Sequence, residues 1–168
     1  MNKKVLIIIN NYEYGGAEKN YVNLANYLYN KRYDVRILTI NKQGDLKKIL
    51  QNNVSILALN KSRLLFSIPK ILKDIKYFQP DYIFTSLPHF NITFLFLKKL
   101  FFFKAKIIIR EANTVDPDFQ DNKLKNFFLI QLKKFIYKNA FKVIAITETV
   151  KKNLIYYQKI YPKNIITI

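Results

Sequence analysis

Seven short apolar runs punctuate this chain: VLIIIN (5–10), YDVRILTI (33–40), NVSILAL (53–59), DYIFTS (81–86), AKIIIR (105–110), KVIAIT (142–147) and NIITI (164–168). They are rich in β-branched residues, and several are apolar at nearly every position. That is the pattern of strands covered on both faces of a parallel sheet. Helical patterns separate them. Residues 17–31 place Ala17, Tyr21, Leu24, Ala25 and Leu28 on one stripe. Residues 67–78 open with Ser67 as the expected N-cap and carry Pro69 in the first turn, where a missing N–H does no harm. Residues 123–138 put Leu124, Phe128, Leu132, Phe135 and Ile136 on one face with lysines opposite, so the aromatics are expected in the core. A last helix should start at Thr147, with Glu148 at the positive end of its dipole. Strand–helix repetition of this kind predicts an α/β, Rossmann-like three-layer sandwich with a mostly parallel sheet of about seven strands. No linker, low-complexity segment or fixed-length repeat interrupts it.

The 168 residues suffice for one domain with a sizeable core and are too few for two of ordinary size. No cysteine and a single histidine, His89, exclude disulfides, thiolate nucleophiles and Cys/His zinc sites. A cysteine-free chain also fits a reducing, cytoplasmic setting. Twenty-nine basic residues face 11 acidic ones, a net charge of +18 that favours anionic partners such as nucleotide diphosphates or an acidic membrane surface. The apolar run after MNKK stops at Asn10, short of a signal-peptide core. The most apolar later stretch, residues 90–103, is broken by Lys98 and Lys99 and is too short to span a bilayer.

Two of only three glycines stand together, Gly15 and Gly16, between the first strand and the first helix. Glycine permits positive φ and close approach of another molecule. The following helix offers free N–H groups to a phosphate or carboxylate, worth about 0.3–1 kcal/mol. A tight turn without a ligand explains the pair equally well. Neither GxGxxG nor a P-loop is present, which disfavours NAD and P-loop nucleotide binding.

The order of strand, loop, GGAEK, amphipathic helix NLANYLYNKRYDV and strand RILTI resembles the amino-terminal domain of family 4 glycosyltransferases, retaining enzymes of the GT-B class. PDYIFTSLPHFN, AKIIIREANT and FKVIAITETVKKNLI are similar to later segments of that domain in the same order, and YPKNIITI to its run into the interdomain linker. Tyr33 departs from the pattern, standing where the family commonly has glycine, and Thr147 replaces the usual serine.

The resemblance implies one half of a GT-B fold over residues 1–168. This is the acceptor-side lobe, facing a carboxy-terminal lobe that holds most nucleotide-sugar contacts and an E-x7-E motif. No two of the four glutamates, Glu13, Glu18, Glu111 and Glu148, have that spacing. The chain is therefore expected to be a half-enzyme, inactive alone, with a carboxy-terminal half supplied in trans as its possible partner. A nucleotide sugar is the implied donor substrate, and no cofactor or metal ion is expected. The resemblance assigns Gly15 and Gly16 to the donor-phosphate loop and places His89, the one catalytic candidate, beside the cleft. Arg110, Glu111, Asn113 and Thr114 follow the fifth strand, where they could hold an acceptor hydroxyl or a phosphate, unless Arg110 and Glu111 simply pair. Glu148 is expected to serve the helix dipole first and the cleft second. His89 is equally consistent with an exposed helix-start residue.

The Lys/Phe-rich helices have the composition of surfaces that lie on anionic membranes, and contact there is expected through lysines alone. That would place the protein in the cytoplasm, peripheral at the inner face of the cell membrane. A non-catalytic basic module, scaffolding or nucleic-acid-binding, is the alternative. Nucleic acid is disfavoured because the lysines are scattered and no recognised motif is present.

Overall fold

The computed structural model describes residues 2–60, 64–114 and 123–168, and only the backbone of 123–127. All seven expected strands are present: β1 (Lys4–Ile9), β2 (Asp34–Thr39), β3 (Ser55–Ala58), β4 (Tyr82–Ser86), β5 (Lys106–Glu111), β6 (Lys142–Ala145) and β7 (Ile165–Thr167). Their order in the sheet is β3-β2-β1-β4-β5-β6-β7. The helices are α1 (Gly16–Asn30), α2 (Ile68–Phe78), α3 (Pro88–Phe101), α4 (Lys123–Ile136) and α5 (Glu148–Gln158). The fold is α/β and Rossmann-like, as the alternation requires. The chain divides into two compact units, Met1–Phe84 and Thr85–Ile168.

In the first unit β1 pairs in parallel with β2, from Lys4 opposite Asp34 to Ile9 opposite Thr39, and β2 pairs with β3. Val5 to Ile9 are buried at consecutive positions, so both faces of β1 are covered. The α1 stripe behaves as expected: Tyr21 and Ala25 are buried, with Leu24 and Leu28 packed against the same core. Asp74 on α2 pairs with Arg36 on β2, whose guanidinium lies 4.2 Å from the Phe78 ring centroid. Ser67 does not cap α2. A 3-10 turn, Leu64–Ser67, precedes the helix, so Ser67 already has helical backbone angles and its hydroxyl bonds no helix N–H.

In the second unit β5 pairs in parallel with β6 and β6 with β7. Burial alternates here. Ile107, Ile109 and Glu111 on β5 are buried, while Ile108 and Arg110 between them are half-covered. The expectation of equal cover on both faces thus holds for β1 and fails for β5. Thr147 caps α5 as expected, its hydroxyl accepting from the Val150 N–H at 3.1 Å.

The expectation for α4 holds at Ile136 and is reversed for Phe128, Leu132 and Phe135. Phe128, Leu132 and Phe135 face outward, with Phe135 61% exposed, whereas Ile130, Lys133 and Ile136 are buried. Leu124 lies outside the described side chains. The cause is Lys133, which is 1% exposed and ion-paired with the equally buried Glu111 at 3.4 Å. A buried lysine needs its carboxylate partner, and meeting it fixes the roll of the helix.

Candidate functional site

The first unit presents the β1–α1 loop. Asn11 accepts the Glu13 N–H at 3.1 Å in a local turn, and the Gly15 N–H bonds the Glu13 carbonyl at 2.8 Å. Gly15 then caps α1 with extended angles, φ −111° and ψ 151°, and its carbonyl accepts the Lys19 N–H. Positive φ is therefore not why a glycine stands there. Openness separates the pair. Among the described residues, apart from its chain neighbours and its own helix backbone, no heavy atom lies within 4 Å of where a Cβ on Gly16 would sit. A Cβ on Gly15 would lie 2.3 Å from a Glu18 carboxylate oxygen. The carboxylate thus folds back over the start of its own helix, and an incoming anion there must displace it.

Positive φ is instead the property of the third glycine, Gly44, at φ +110°. A Cβ there would sit 2.0 Å from the Tyr12 carbonyl carbon. The two segments are stitched together, Tyr12 N–H to the Gln43 carbonyl at 2.6 Å and Leu46 N–H to the Tyr12 carbonyl at 2.9 Å. Tyr12 is fully buried, and burial pushes its hydroxyl well above the usual phenol range. Gly44 and Tyr12 thus hold the Gly15–Gly16 loop in place. The sequence hint was available, because a lone glycine in a glycine-poor chain marks a required backbone conformation.

The second unit carries the other candidates. Leu87 joins β4 to α3 at φ +76°, a strained conformation for a bulky residue preceding proline. This sharp turn sets His89 at the second position of α3, exposed at one edge, with its ring centroid 4.2 Å from that of Phe90 and tilted 48° to it. Partial burial lowers its pKa, so the imidazole is neutral at physiological pH and can accept a proton.

At the end of β5, Arg110 and Glu111 point to opposite sides and do not pair. Arg110 reaches Ser86 at 3.5 Å, and its buried Nε has no partner among the described residues. Glu111 turns inward. Its carboxylate accepts the Tyr137 hydroxyl at 2.6 Å as well as Lys133. Asn91 continues the chain of bonds to the Tyr137 hydroxyl (3.5 Å), the Arg110 carbonyl (3.1 Å) and Thr85 (2.6 Å). Burial first, and the Glu111 charge second, drive the Tyr137 hydroxyl far above its ordinary pKa, so it remains a donor. Asn113 and Thr114 are exposed immediately beyond. Glu148 is exposed at the first position of α5 and pairs with Lys151 at 3.1 Å.

The second unit therefore brings His89, Arg110, Asn113 and Thr114 to the carboxyl ends of neighbouring strand segments, the edge where open α/β sheets bind ligands. It withdraws Glu111 from that edge into a buried network. Sequence reasoning missed Thr85, Asn91, Lys133 and Tyr137. The available signal was the i, i+3, i+7 spacing of Ile130, Lys133 and Tyr137, an apolar stripe with a lysine inside it. Among the described residues no cluster of three or more His, Asp or Glu side chains could hold a metal ion.

A parallel α/β lobe with this strand order has the Rossmann-like fold seen in the halves of GT-B glycosyltransferases. The chain belongs to Glycosyltransferase Family 4, whose sequence pattern matches residues 14–168. Three of the solved structures similar to it illustrate the match. One is a glycosyltransferase from Rickettsia africae ESF-5, with 20% identity and a TM-score of 0.69, covering 99% of this chain and 42% of that one. Another is Anabaena HepE in complex with UDP and glucose, with 17% identity and a TM-score of 0.70, covering 99% and 44%. The third is sucrose-phosphate synthase from Thermosynechococcus elongatus, with 12% identity and a TM-score of 0.71, covering 99% and 48%. At such identities the fold is what is shared. The chain spans less than half the length of each. No curated protein matches the chain at a significant level.

Proposed function

We propose that residues 1–168 form the acceptor-side lobe of a retaining glycosyltransferase. It would move a sugar from a nucleotide-sugar donor to a glycan or lipid-linked acceptor. The observation that carries this reading is the family match across residues 14–168. Transfer needs a polarised leaving diphosphate and an acceptor hydroxyl held against the anomeric carbon. Those are demands of positioning and electrostatics that two walls of a cleft meet together. This lobe would work with a carboxy-terminal lobe, on the same polypeptide or another, that supplies the main donor contacts.

In this assignment the open backbone at Gly16 admits a donor phosphate at the start of α1. Arg110 and the neutral His89 hold the acceptor or a phosphate oxygen, with Asn113 and Thr114 lining the approach. Glu111 acts as a positioning residue, and Glu148 stays with the helix dipole. The reaction calls for no metal ion or cofactor beyond the nucleotide sugar. A cytoplasmic protein, peripheral at the inner membrane face, fits a lipid-linked acceptor.

The test is transfer from a panel of nucleotide sugars to lipid and glycan acceptors. The chain is assayed alone and with a family 4 carboxy-terminal lobe added in trans. Turnover only in the mixture supports the assignment. Robust turnover by the 168 residues alone overturns it. No transfer, with tight DNA binding and a steep salt slope, would identify a basic binding module instead.

A further inference from the structure

We infer that the acceptor carries a phosphoryl group, received by the Arg110 guanidinium together with the Ser86 hydroxyl at the carboxyl ends of β5 and β4. This rests on the acceptor-side reading above and narrows its substrate class. Arg110 is a half-covered cation without an anion. Two other enclosed cations have one: Arg36 pairs with Asp74, and Lys133 with Glu111. Among the described residues Arg110 pairs with no carboxylate. Its side-chain bond is the long contact from Nη1 to Ser86 Oγ at 3.5 Å, and its buried Nε donor is unused. A covered guanidinium with an unmet donor is costly, and such an orphan marks a place where a ligand or ion completes the bonding.

The surroundings favour a phosphoryl group over a neutral hydroxyl. Residues 82–110 include no aspartate or glutamate, and Glu111 turns to the opposite side, where Lys133 and Tyr137 occupy its carboxylate. A phosphoryl group offers the paired oxygens that a guanidinium engages side by side through Nε and an Nη, and the Ser86 hydroxyl can donate to a third. The receptor is also braced. Asn91, fully buried, donates to the Arg110 carbonyl at 3.1 Å and accepts the Thr85 hydroxyl at 2.6 Å, which ties the end of β5 to the end of β4. The strained Leu87, at φ +76°, follows Ser86 directly, and strain of that kind persists where the surrounding structure over-determines a binding geometry. Asn113 and Thr114, exposed just past β5, are placed for the hydroxyls of the same molecule. In the same reading the donor diphosphate approaches at Gly16 of the first unit, which leaves this cation to the acceptor.

The test uses the full chain, isotopically labelled on nitrogen, in about 150 mM sodium chloride so that diffuse attraction to the basic surface is screened. The sequence has four arginines, so the Nε–H region of the spectrum is sparse, and the signal lost in Arg110→Lys belongs to Arg110. Glycerol phosphate should shift that signal saturably, and glycerol should not. By calorimetry Arg110→Lys, which keeps the charge and loses the fork, should bind glycerol phosphate roughly tenfold or more weakly. Lys76→Gln, an exposed charge on α2, should leave the affinity unchanged. An unmoved Nε signal, or equal weakening by both variants, overturns the proposal. So does a response to inorganic phosphate as strong as that to glycerol phosphate, which would mean an adventitious ion only. Displacement of glycerol phosphate by UDP also overturns it, because Arg110 would then serve the donor. Turnover enters neither readout. Transfer to an unphosphorylated glycan without an Nε response retires the phosphorylated acceptor and keeps the transferase. A saturable response without transfer in the two-lobe mixture keeps the phosphoryl site and retires the transferase.

Discussion

Gly44 carries the strictest residue-level constraint in the molecule, because its φ of +110° and the Tyr12 carbonyl beside it both exclude a side chain. Gly44→Ala should cost about 2 kcal/mol or more, read as a lower urea midpoint. Gly16 has free space at the same test position, so Gly16→Ala should leave the midpoint within about 0.5 kcal/mol of the wild type. If a donor phosphate approaches there, the same change weakens nucleotide-sugar affinity in the two-lobe enzyme. His89 is the residue whose protonation reports on the site. Its folded pKa is depressed by burial, so the neutral form is favoured in the folded state. Any stability it contributes is present above the unfolded value of about 6.5 and is lost as pH falls through the lower folded value. Transfer that depends on neutral His89 should fall over that same acidic window, and His89→Ala should abolish the inflection in the pH–rate profile.

Helix ends and helix roll are the element-scale decisions. With so few glycines, this chain stops helices on other residues in the left-handed region: Gln79 after α2, Phe102 after α3 and Lys159 after α5. After α1 the left-handed residue is Arg32, with Arg32 N–H bonded to the Tyr29 carbonyl and Tyr33 N–H to the Leu28 carbonyl. Glycine suits that position better, so Arg32→Gly should raise stability by about 0.5–1 kcal/mol, measurable by thermal unfolding. Helix α4 makes a sharper prediction. Lys133→Met strands the buried Glu111 carboxylate and should destabilise by about 3–5 kcal/mol. Adding Glu111→Gln should recover much of that loss. Phe135→Ser, on the exposed side, should be close to neutral in the same urea titration. Equal costs for Lys133→Met and Phe135→Ser would contradict the observed roll of α4.

For the whole molecule the dominant quantity is charge. A net +18 on 168 residues is a self-repulsion that opposes compactness and that salt screens. The melting temperature should therefore rise as sodium chloride is raised from about 10 mM to about 150 mM, over which the screening length shortens from roughly 30 Å to 8 Å. A midpoint that stays flat or falls would show that the ion pairs outweigh the repulsion.

The strand runs, the positions of α1, α2, α4 and α5 and the Thr147 cap were legible in the sequence, because they depend on local periodicity and on which side chains cover a neighbouring element. Family membership was legible too, since ordered patches such as GGAEK and FKVIAITETV survive in the linear text. The sequence could not say which of two apolar stripes on α4 turns inward, since that depends on a carboxylate 22 positions away, Glu111, meeting Lys133 across the fold. Nor could it say that Gly44, rather than Gly15 or Gly16, carries the left-handed turn, because the Tyr12 carbonyl that excludes its side chain comes from a distant loop. Local periodicity is written into a few consecutive residues, whereas the pairing of buried charges and the close approach of loops exist only once the chain has folded back on itself.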